Sequence, residues 1–350
     1  MSIEKKTLAA LLLTALFSVE SLAAPPACAE EILSVAVNPL TEDYVLPFHQ
    51  AMEAGCRGQT VTWRWSDLEP DKDQYDLAQA IENVQFLCKE MGFSLLVNLA
   101  VIDMSAKQFP RELQPLPFNS KEVILQFHEL IDQLALLMDP RVEYIVVGHE
   151  VDLYLAAHPQ EWNAYMEFYE DASDYIRLKM PGVKVGVCVT SAGAKGADAG
   201  HILALNKRSD VWVTTYYPMG ERFRPVGTDT VLVDLPEMVR TAGNLPLVIQ
   251  EIGFPSAVVL ESSERAQADF VANTFAAWSA QRDRIPFLSF WIMHDLPEEE
   301  CRETADSYGM GNDSFFKAFF CSLGLRRSDG SPKPAWSALE EGSRRMGLIR

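Results

Sequence analysis

Beyond residue 30, short apolar runs alternate along the chain with longer stretches in which apolar residues recur at helical spacing. Eight of the short runs predict strands, and several are continuously apolar, which is typical of strands buried on both faces. The predicted strands cover residues 31–37, 60–65, 94–99, 143–148, 184–190, 211–215, 247–250 and 287–293. The longer stretches predict helices at residues 77–91, 121–138, 159–179, 231–242 and 264–281.

Strands that alternate with helices indicate parallel β/α units, and eight such units with right-handed crossovers close into a (β/α)8 TIM barrel. A doubly wound open sheet is the rival α/β architecture, but it normally carries a glycine-rich turn after its first strand. Here the first predicted strand leads into Asn38-Pro39-Leu40-Thr41, which contains no glycine. We therefore expect a single barrel domain over residues 30–350.

The first 29 residues have the pattern of a secretory signal peptide. Lys5 and Lys6 precede an apolar run over residues 7–19, and small residues follow up to Ala23 or Ala29, after either of which cleavage can occur. The run is too short for a comfortable membrane span. We expect a secreted or periplasmic protein that has no membrane-inserted segment once the signal is removed.

The charge balance narrows the class of partner. The chain has 48% hydrophobic residues, enough for a large core, and its 30 basic and 49 acidic residues give a net charge of −19. A surface this negative repels the phosphates of nucleic acids, so nucleic acid is not an expected partner. Neutral and cationic substrates remain open.

Export makes disulfide bonds relevant. Cleavage at the later site leaves five of the six cysteines, and an odd number implies a free thiol. Cys188 lies inside an apolar strand-like run, so we expect it to be the free one. We predict that Cys301 pairs with Cys321 across the charged segment after the eighth strand, and that Cys56 pairs with Cys88 at the bottom of the barrel. No C-x-x-C spacing or histidine cluster indicates a metal site.

In a TIM barrel, functional residues lie at the carboxyl ends of the strands. The fourth predicted strand runs into His149 and Glu150, and the seventh runs into Glu251. Aromatic residues end the second, sixth and eighth strands, where rings can stack on the apolar faces of sugars while polar groups hold hydroxyls. This combination predicts a carbohydrate cleft whose substrate-binding residues are Arg64, Trp65, Asn98, Tyr216, Tyr217 and Trp291.

Two of these positions have competitors, because neighbouring residues on a strand point to opposite faces. Only one of Tyr216 and Tyr217 can face the cleft. Arg64 competes with Trp63 and Trp65 for the inward position.

The arrangement resembles clan A of the glycoside hydrolases, a group of retaining enzymes on eightfold barrels. The segment Gln250-Glu251-Ile252-Gly253-Phe254-Pro255-Ser256 is similar to the nucleophile segment of families 5 and 17, and Tyr216-Tyr217-Pro218 is similar to the sixth strand of family 53. The resemblance implies that Glu150 is the acid/base and Glu251 the nucleophile, with no cofactor and no metal. Arg64 and Tyr217 are then the candidates to orient Glu251.

One residue departs from the clan's usual pattern. Most members carry Asn before the acid/base, whereas this chain carries His149, as family 26 does. A histidine can also donate a hydrogen bond, so we expect its ring to point into the cleft beside Glu150 and to bind a sugar hydroxyl. The alternative is a buried histidine that bonds the backbone and has a structural role. The expected activity is hydrolysis of an oligosaccharide or polysaccharide by double displacement, performed by a monomer. The alternative is a catalytically silent barrel that binds a glycan.

Overall fold

The computed structural model describes residues 31–40 and 44–349 of the chain. The predicted signal peptide, residues 1–29, lies outside the described residues and stays a prediction. Within the described part, no helix is both long and apolar enough to cross a membrane.

Eight parallel strands form the centre of the fold, each within a few residues of its predicted position. The fifth strand is split into two segments at Val187. In chain order the barrel strands are Ile32–Val35, Gly58–Arg64, Ser94–Asp103, Val142–His149, Lys184–Gly186 with Cys188–Thr190, Trp212–Tyr216, Leu247–Ile252 and Phe287–Phe290. A short strand, Ala106–Lys107, pairs antiparallel with the end of the third.

The pairing pattern closes the sheet into a ring. The first strand pairs with both the second and the eighth, so the first and last strands of the barrel are neighbours. The first segment of the fifth strand pairs with the fourth strand, and its second segment pairs with the sixth. Because every barrel strand thereby has two neighbours, the predicted (β/α)8 barrel is confirmed.

Helices follow the strands and pack around the ring. All five predicted helices are present, and the structure adds shorter ones after the first, second, fourth, fifth and eighth strands. The α-helices are Leu46–Glu53, Trp65–Leu68, Ala78–Asn83, Lys121–Ala135, Val151–Ala157, Trp162–Lys179, Ala199–Leu205, Val231–Ala242, Glu264–Ser279, Glu298–Ser307, Ser314–Cys321 and Pro334–Met346. The third of these continues as a π-helical segment, Val84–Glu90.

Two apolar layers hold the barrel together. One fills the ring itself, with Leu96, Tyr144 and Phe287 among its buried members. The larger one lies between the strands and the surrounding helices. The packed interior closes the lower part of the barrel, so ligands can reach only its open carboxyl end.

The segment after the eighth strand is a helical hairpin that covers part of this open end. A disulfide between Cys301 and Cys321, with a Cα–Cα distance of 5.7 Å, joins its helices Glu298–Ser307 and Ser314–Cys321 and confirms the predicted pairing. Cys188 is free and buried, as predicted.

The second predicted disulfide is wrong. Cys56 and Cys88 are both free, and each is buried among apolar side chains between the barrel and its helices. Burial raises the pKa of each thiol to about 12, so both stay protonated at neutral pH. These cysteines therefore act as small apolar core residues.

Candidate active site

The end of the fourth strand makes a sharp turn that the sequence Gly148-His149-Glu150 permits. Gly148 has a φ of +89°, and a Cβ there would lie 2.5 Å from the side chain of Val151. Only glycine fits this backbone. Glu150 follows with a φ of +46°, a left-handed conformation that non-glycine residues rarely adopt and that is often found at functional sites.

Glu150 is a buried carboxyl, 7% exposed, with one close polar partner. The hydroxyl of Thr215, at the end of the sixth strand, donates a 2.6 Å hydrogen bond to its Oε1. Burial raises the pKa of Glu150, and the negative charge of Glu251 adds to this, while the neighbouring His149 opposes it. The carboxyl is thus biased toward its protonated form.

Glu251 ends the seventh strand and has a different environment. The phenol of Tyr217 donates a 2.8 Å hydrogen bond to its Oε2, and His149 Nε2 lies 3.6 Å from its Oε1. Burial, together with the adjacent Glu251, raises the pKa of Tyr217 far above its usual value, so the phenol remains a donor. Glu251 therefore faces a hydrogen-bond donor at one carboxyl oxygen and the His149 ring at the other.

His149 precedes Glu150 in the chain, and its ring lies beside Glu251. Its Nδ1 lies 2.9 Å from the side-chain nitrogen of Gln250, and the ring is 8% exposed. Burial alone would lower the pKa of His149. The surrounding carboxylates, with Glu251 the strongest, raise it by more than burial lowers it, so the pKa of His149 lies above its ordinary value. The ring of His149 lies in the wall of the cavity that Glu150 and Glu251 also line.

His149, Glu150 and Glu251 line a cavity of about 440 Å³ at the carboxyl end of the barrel. Its walls come from the strand ends and from the helical hairpin after the eighth strand. The lining residues are Thr62, Arg64, Asp103, Met104, His149, Glu150, Leu153, Thr190, Ser191, Ala192, Thr215, Tyr217, Met219, Phe223, Glu251, Trp291, Tyr308, Phe316, Phe319, Phe320 and Leu323. Among the residues that the structure describes, no group of three or more His, Cys, Asp or Glu side chains is arranged to hold a metal ion.

Three more predicted residues line this cavity, namely Arg64, Tyr217 and Trp291. Arg64 has a different partner from the one expected, since its Nε donates a 2.7 Å hydrogen bond to Asp103 at the end of the third strand. Arg64 therefore holds Asp103 in the wall, and Tyr217 and His149 are the groups at Glu251.

The structure places the other three predicted residues outside the cavity. Trp65 is fully buried against Phe109 and Phe127, and its indole nitrogen donates to Glu69. Tyr216 points to the helix layer, as strand alternation requires once Tyr217 faces inward, and its hydroxyl donates to Asp234. Asn98 is fully buried inside the barrel. The predicted contact of these side chains with substrate does not agree with these positions.

Several residues of the site did not appear among the predicted ones. Asp103 and Thr215 lie at strand ends, so the strand-end rule could have found them. Gln250 precedes Glu251 and faces His149. Tyr308 and the phenylalanines of the hairpin lie after the eighth strand, where no periodic pattern assigns them to the cavity.

The known proteins that resemble this chain do so in structure. No protein-family model matches the sequence, and no curated protein is significantly similar to it. A variant of a subfamily 18 member of glycoside hydrolase family 5 from Bifidobacterium longum subsp. longum, in complex with Manβ1-4GlcNAc, matches with a TM-score of 0.70 and 15% identity over 90% of this chain and 78% of that chain.

Two further structures are similar to the same extent. The subfamily 18 protein from Streptomyces cattleya, in complex with GlcNAc, has a TM-score of 0.70 and 18% identity over 91% of this chain and 81% of its own. The exo-β-1,4-mannosidase from Opitutaceae bacterium strain TAV5 has a TM-score of 0.70 and 17% identity over 92% of this chain and 61% of its own. At such low identity the likeness is one of fold. The chain thus has the (β/α)8 barrel found in clan A glycoside hydrolases, in agreement with the resemblance predicted from its sequence.

Proposed function

We propose that the protein is a retaining glycoside hydrolase with Glu150 as the acid/base and Glu251 as the nucleophile. The observation that carries this proposal is that two carboxyls from the ends of the fourth and seventh strands share one cavity in unequal environments. A pair of carboxyls whose surroundings favour opposite protonation states is the usual basis for dividing the acid and nucleophile roles.

The surroundings of each carboxyl support its role. Glu150 is buried and its pKa is raised, so it can hold the proton that a leaving group needs. Glu251 faces the Tyr217 hydroxyl at 2.8 Å and the His149 ring at 3.6 Å, both of which stabilise a negative charge. A charged carboxylate is the form that can attack an anomeric carbon.

The reaction then proceeds in two displacements. Glu251 attacks the anomeric carbon, the glycosidic bond breaks, and the leaving oxygen takes the proton of Glu150. The Glu150 carboxylate next removes a proton from water, which attacks the glycosyl–Glu251 ester, releases the sugar with retained configuration and restores the starting protonation. This course requires the carboxyls to lie about 5–5.5 Å apart.

The substrate class that we propose is an oligosaccharide or polysaccharide. Trp291 offers a ring face for stacking, and Arg64, Asp103 and His149 offer hydrogen-bonding groups to sugar hydroxyls. The structurally similar proteins in complex with Manβ1-4GlcNAc and GlcNAc support a saccharide ligand in a barrel of this kind.

We also propose that the protein is exported. The Cys301–Cys321 disulfide supports this, because disulfides persist in oxidising compartments. Amino-terminal sequencing of protein recovered from the periplasm and from the medium tests the proposal, since export with signal removal gives a mature chain that starts after Ala23 or Ala29.

Azide rescue tests the two catalytic roles separately. On an activated aryl glycoside, Glu251→Ala with azide should yield a glycosyl azide of inverted configuration, and Glu150→Ala with azide should yield one of retained configuration. Glu143→Ala is the matched control, because this glutamate lies at the opposite end of the fourth strand, where it bonds Ser94. It should keep wild-type activity.

Product stereochemistry completes the test. Nuclear magnetic resonance of the wild-type reaction should show that the first-formed sugar has the anomeric configuration of the substrate. An inverted product, or full activity of both alanine variants, contradicts the proposal. Binding of a glycan without turnover on any glycoside favours the silent barrel.

A further inference from the structure

The cavity has two chemically different walls. Strands two and three contribute hydrogen-bonding side chains, including Thr62, Arg64 and Asp103. In an eight-stranded ring these strands stand opposite the sixth and seventh. The opposite wall comes from the loop after the sixth strand and the hairpin after the eighth. Apart from Tyr308, which carries a hydroxyl, its side chains are Met219, Phe223, Phe316, Phe319, Phe320 and Leu323.

The second set, called here the apolar wall, is a packed structure. Phe223 contacts Phe316 and Phe319 with ring centroids 5.3 and 5.4 Å apart, and Phe316 stacks on Phe320 at 5.7 Å. The Cys301–Cys321 disulfide ties the end of the helix that carries three of these rings. The wall is therefore formed before any ligand binds.

A second sugar fits this wall poorly. None of the six side chains of the apolar wall can donate or accept a conventional hydrogen bond, Met219 being at most a weak acceptor. Sugar hydroxyls facing them would lose water without gaining partners, which disfavours binding. A hydrocarbon or aromatic group at the same place removes apolar surface from water on both sides.

The apolar surface continues outward from the cavity. Leu260 is buried with Phe316, Phe319 and Leu323, and the two residues before it, Val258 and Val259, are 81% and 57% exposed. The helix Ser314–Cys321 packs against this turn. Exposed apolar residues beside an apolar cavity wall mark a binding surface more often than isolated ones do.

We propose that the apolar wall is the binding site for an apolar aglycone, so that the substrate is a glycoside with a sugar on the polar wall and a hydrocarbon or aromatic alcohol as leaving group. This inference rests on the catalytic roles in the proposed function; it keeps a saccharide as the glycone and replaces a second sugar as leaving group by an apolar alcohol. In the first displacement the bond between the anomeric carbon and the aglycone oxygen breaks, the carbon bonds to Glu251, and the alcohol departs with the proton from Glu150.

Pairs of alkyl glycosides that share one sugar test the site. Each pair consists of the octyl and the methyl β-glycoside of glucose, galactose, mannose or N-acetylglucosamine. The two leaving groups in a pair have similar chemistry and differ in hydrocarbon length. On the sugar that the enzyme accepts, we expect kcat/KM for the octyl glycoside to exceed that for the methyl glycoside by at least tenfold. It should also exceed that for the β-1,4-linked disaccharide of the same sugar.

Two variants assign the effect to the apolar wall. Phe320→Ser and the near-isosteric Met219→Gln should each lower the octyl-to-methyl ratio at least fivefold, and thermal unfolding checks that each variant is folded. Phe315→Ser is the matched control, because Phe315 lies on the same helix under the guanidinium of Arg222 and does not line the cavity. Its ratio should equal that of the wild type.

The outcomes separate this inference from the proposed function. An active enzyme with equal rates on octyl and methyl glycosides, or with a preference for the disaccharide, overturns the aglycone site and leaves the glycosidase standing. If no glycoside is hydrolysed, calorimetric titration with the same pairs decides, since equal affinity for octyl and methyl glycosides overturns the site.

Discussion

Removal of one hydroxyl group tests how Glu251 is held. In Tyr217→Phe the ring stays in place against Phe319, at a centroid distance of 5.6 Å, while the 2.8 Å hydrogen bond to Glu251 is lost. The donor is a protonated phenol and the acceptor a carboxylate, and a hydrogen bond to a charged group contributes about 1.5–3 kcal/mol. If the transition state depends on that bond, kcat/KM falls by about 10- to 150-fold.

The neighbouring tyrosine supplies the control. Tyr216→Phe deletes the same atom one residue earlier, but that hydroxyl bonds Asp234 at 2.7 Å and lies outside the cavity. This variant should lose about 1 kcal/mol of stability in urea unfolding and keep its kcat/KM. The comparison separates an effect on the site from a general effect of losing a tyrosine hydroxyl.

Steady-state kinetics on one aryl glycoside give the answer. Equal activity of Tyr217→Phe and the wild type, with both proteins folded by circular dichroism, would refute the argument that this phenol orients the nucleophile. An equal loss in both tyrosine variants would also refute it, because the effect would then be independent of Glu251.

Three further predictions follow from the charges and the disulfide. His149→Asn removes a charge that lowers the pKa of Glu150, so this pKa should rise and the basic limb of the kcat/KM profile should move to higher pH. A limb that stays in place would show that the two residues are not coupled. Burial raises the pKa of Asp152 to about 6, so the folded state keeps a proton that the unfolded chain releases at lower pH. The free energy of unfolding should therefore fall as the pH rises from about 4 to 6. Urea titrations of Asp152→Asn should show a flatter dependence on pH. Replacing Cys301 and Cys321 together by Ser should lower the free energy of unfolding by about 2–4 kcal/mol, and an unchanged urea midpoint would contradict a stabilising role.

The barrel was predictable because its strands obey a simple rule. Strands such as residues 94–99 and 211–215 are buried on both faces, so they appear as apolar runs that need no alternation to be recognised. The helices Val151–Ala157 and Ala199–Leu205 were missed because seven residues hold less than two full turns of amphipathic pattern. Short helices are set by packing against the barrel, which sequence periodicity does not report.

The positions of the two glutamates at the strand ends were predictable for a related reason. Parallel strands bring their carboxyl ends to one face, so Glu150 and Glu251 line one cavity although 101 residues separate them in the chain. The inward-facing side chains were harder to predict: Tyr216 faces the helix layer, and Trp65 begins the short helix after the second strand. One residue of register decides this, and composition does not fix register.

The Cys56–Cys88 prediction failed for a different reason. Both cysteines were assigned to the bottom of the barrel from element positions alone, and a disulfide requires in addition that the two Cβ atoms approach within bonding geometry. In the structure each thiol is enclosed by apolar neighbours. Cys301 and Cys321 were easier because a short hairpin brings their helices side by side.

The strand-end carboxyls were predictable from the sequence and the apolar wall was not, and this difference has a functional consequence. The carboxyls sit where barrel topology places strand ends, so the position of the reacting atoms follows from the fold. The apolar wall depends on the hairpin after the eighth strand, where Phe316 and Phe319 cover the cavity without belonging to any barrel element. Phe319 of that wall packs against the ring of Tyr217 at a centroid distance of 5.6 Å, and the hydroxyl of Tyr217 donates to Glu251. In the proposed enzyme this hairpin both binds the leaving group and supports the residue that holds Glu251, so substitutions in that segment should affect specificity and rate together.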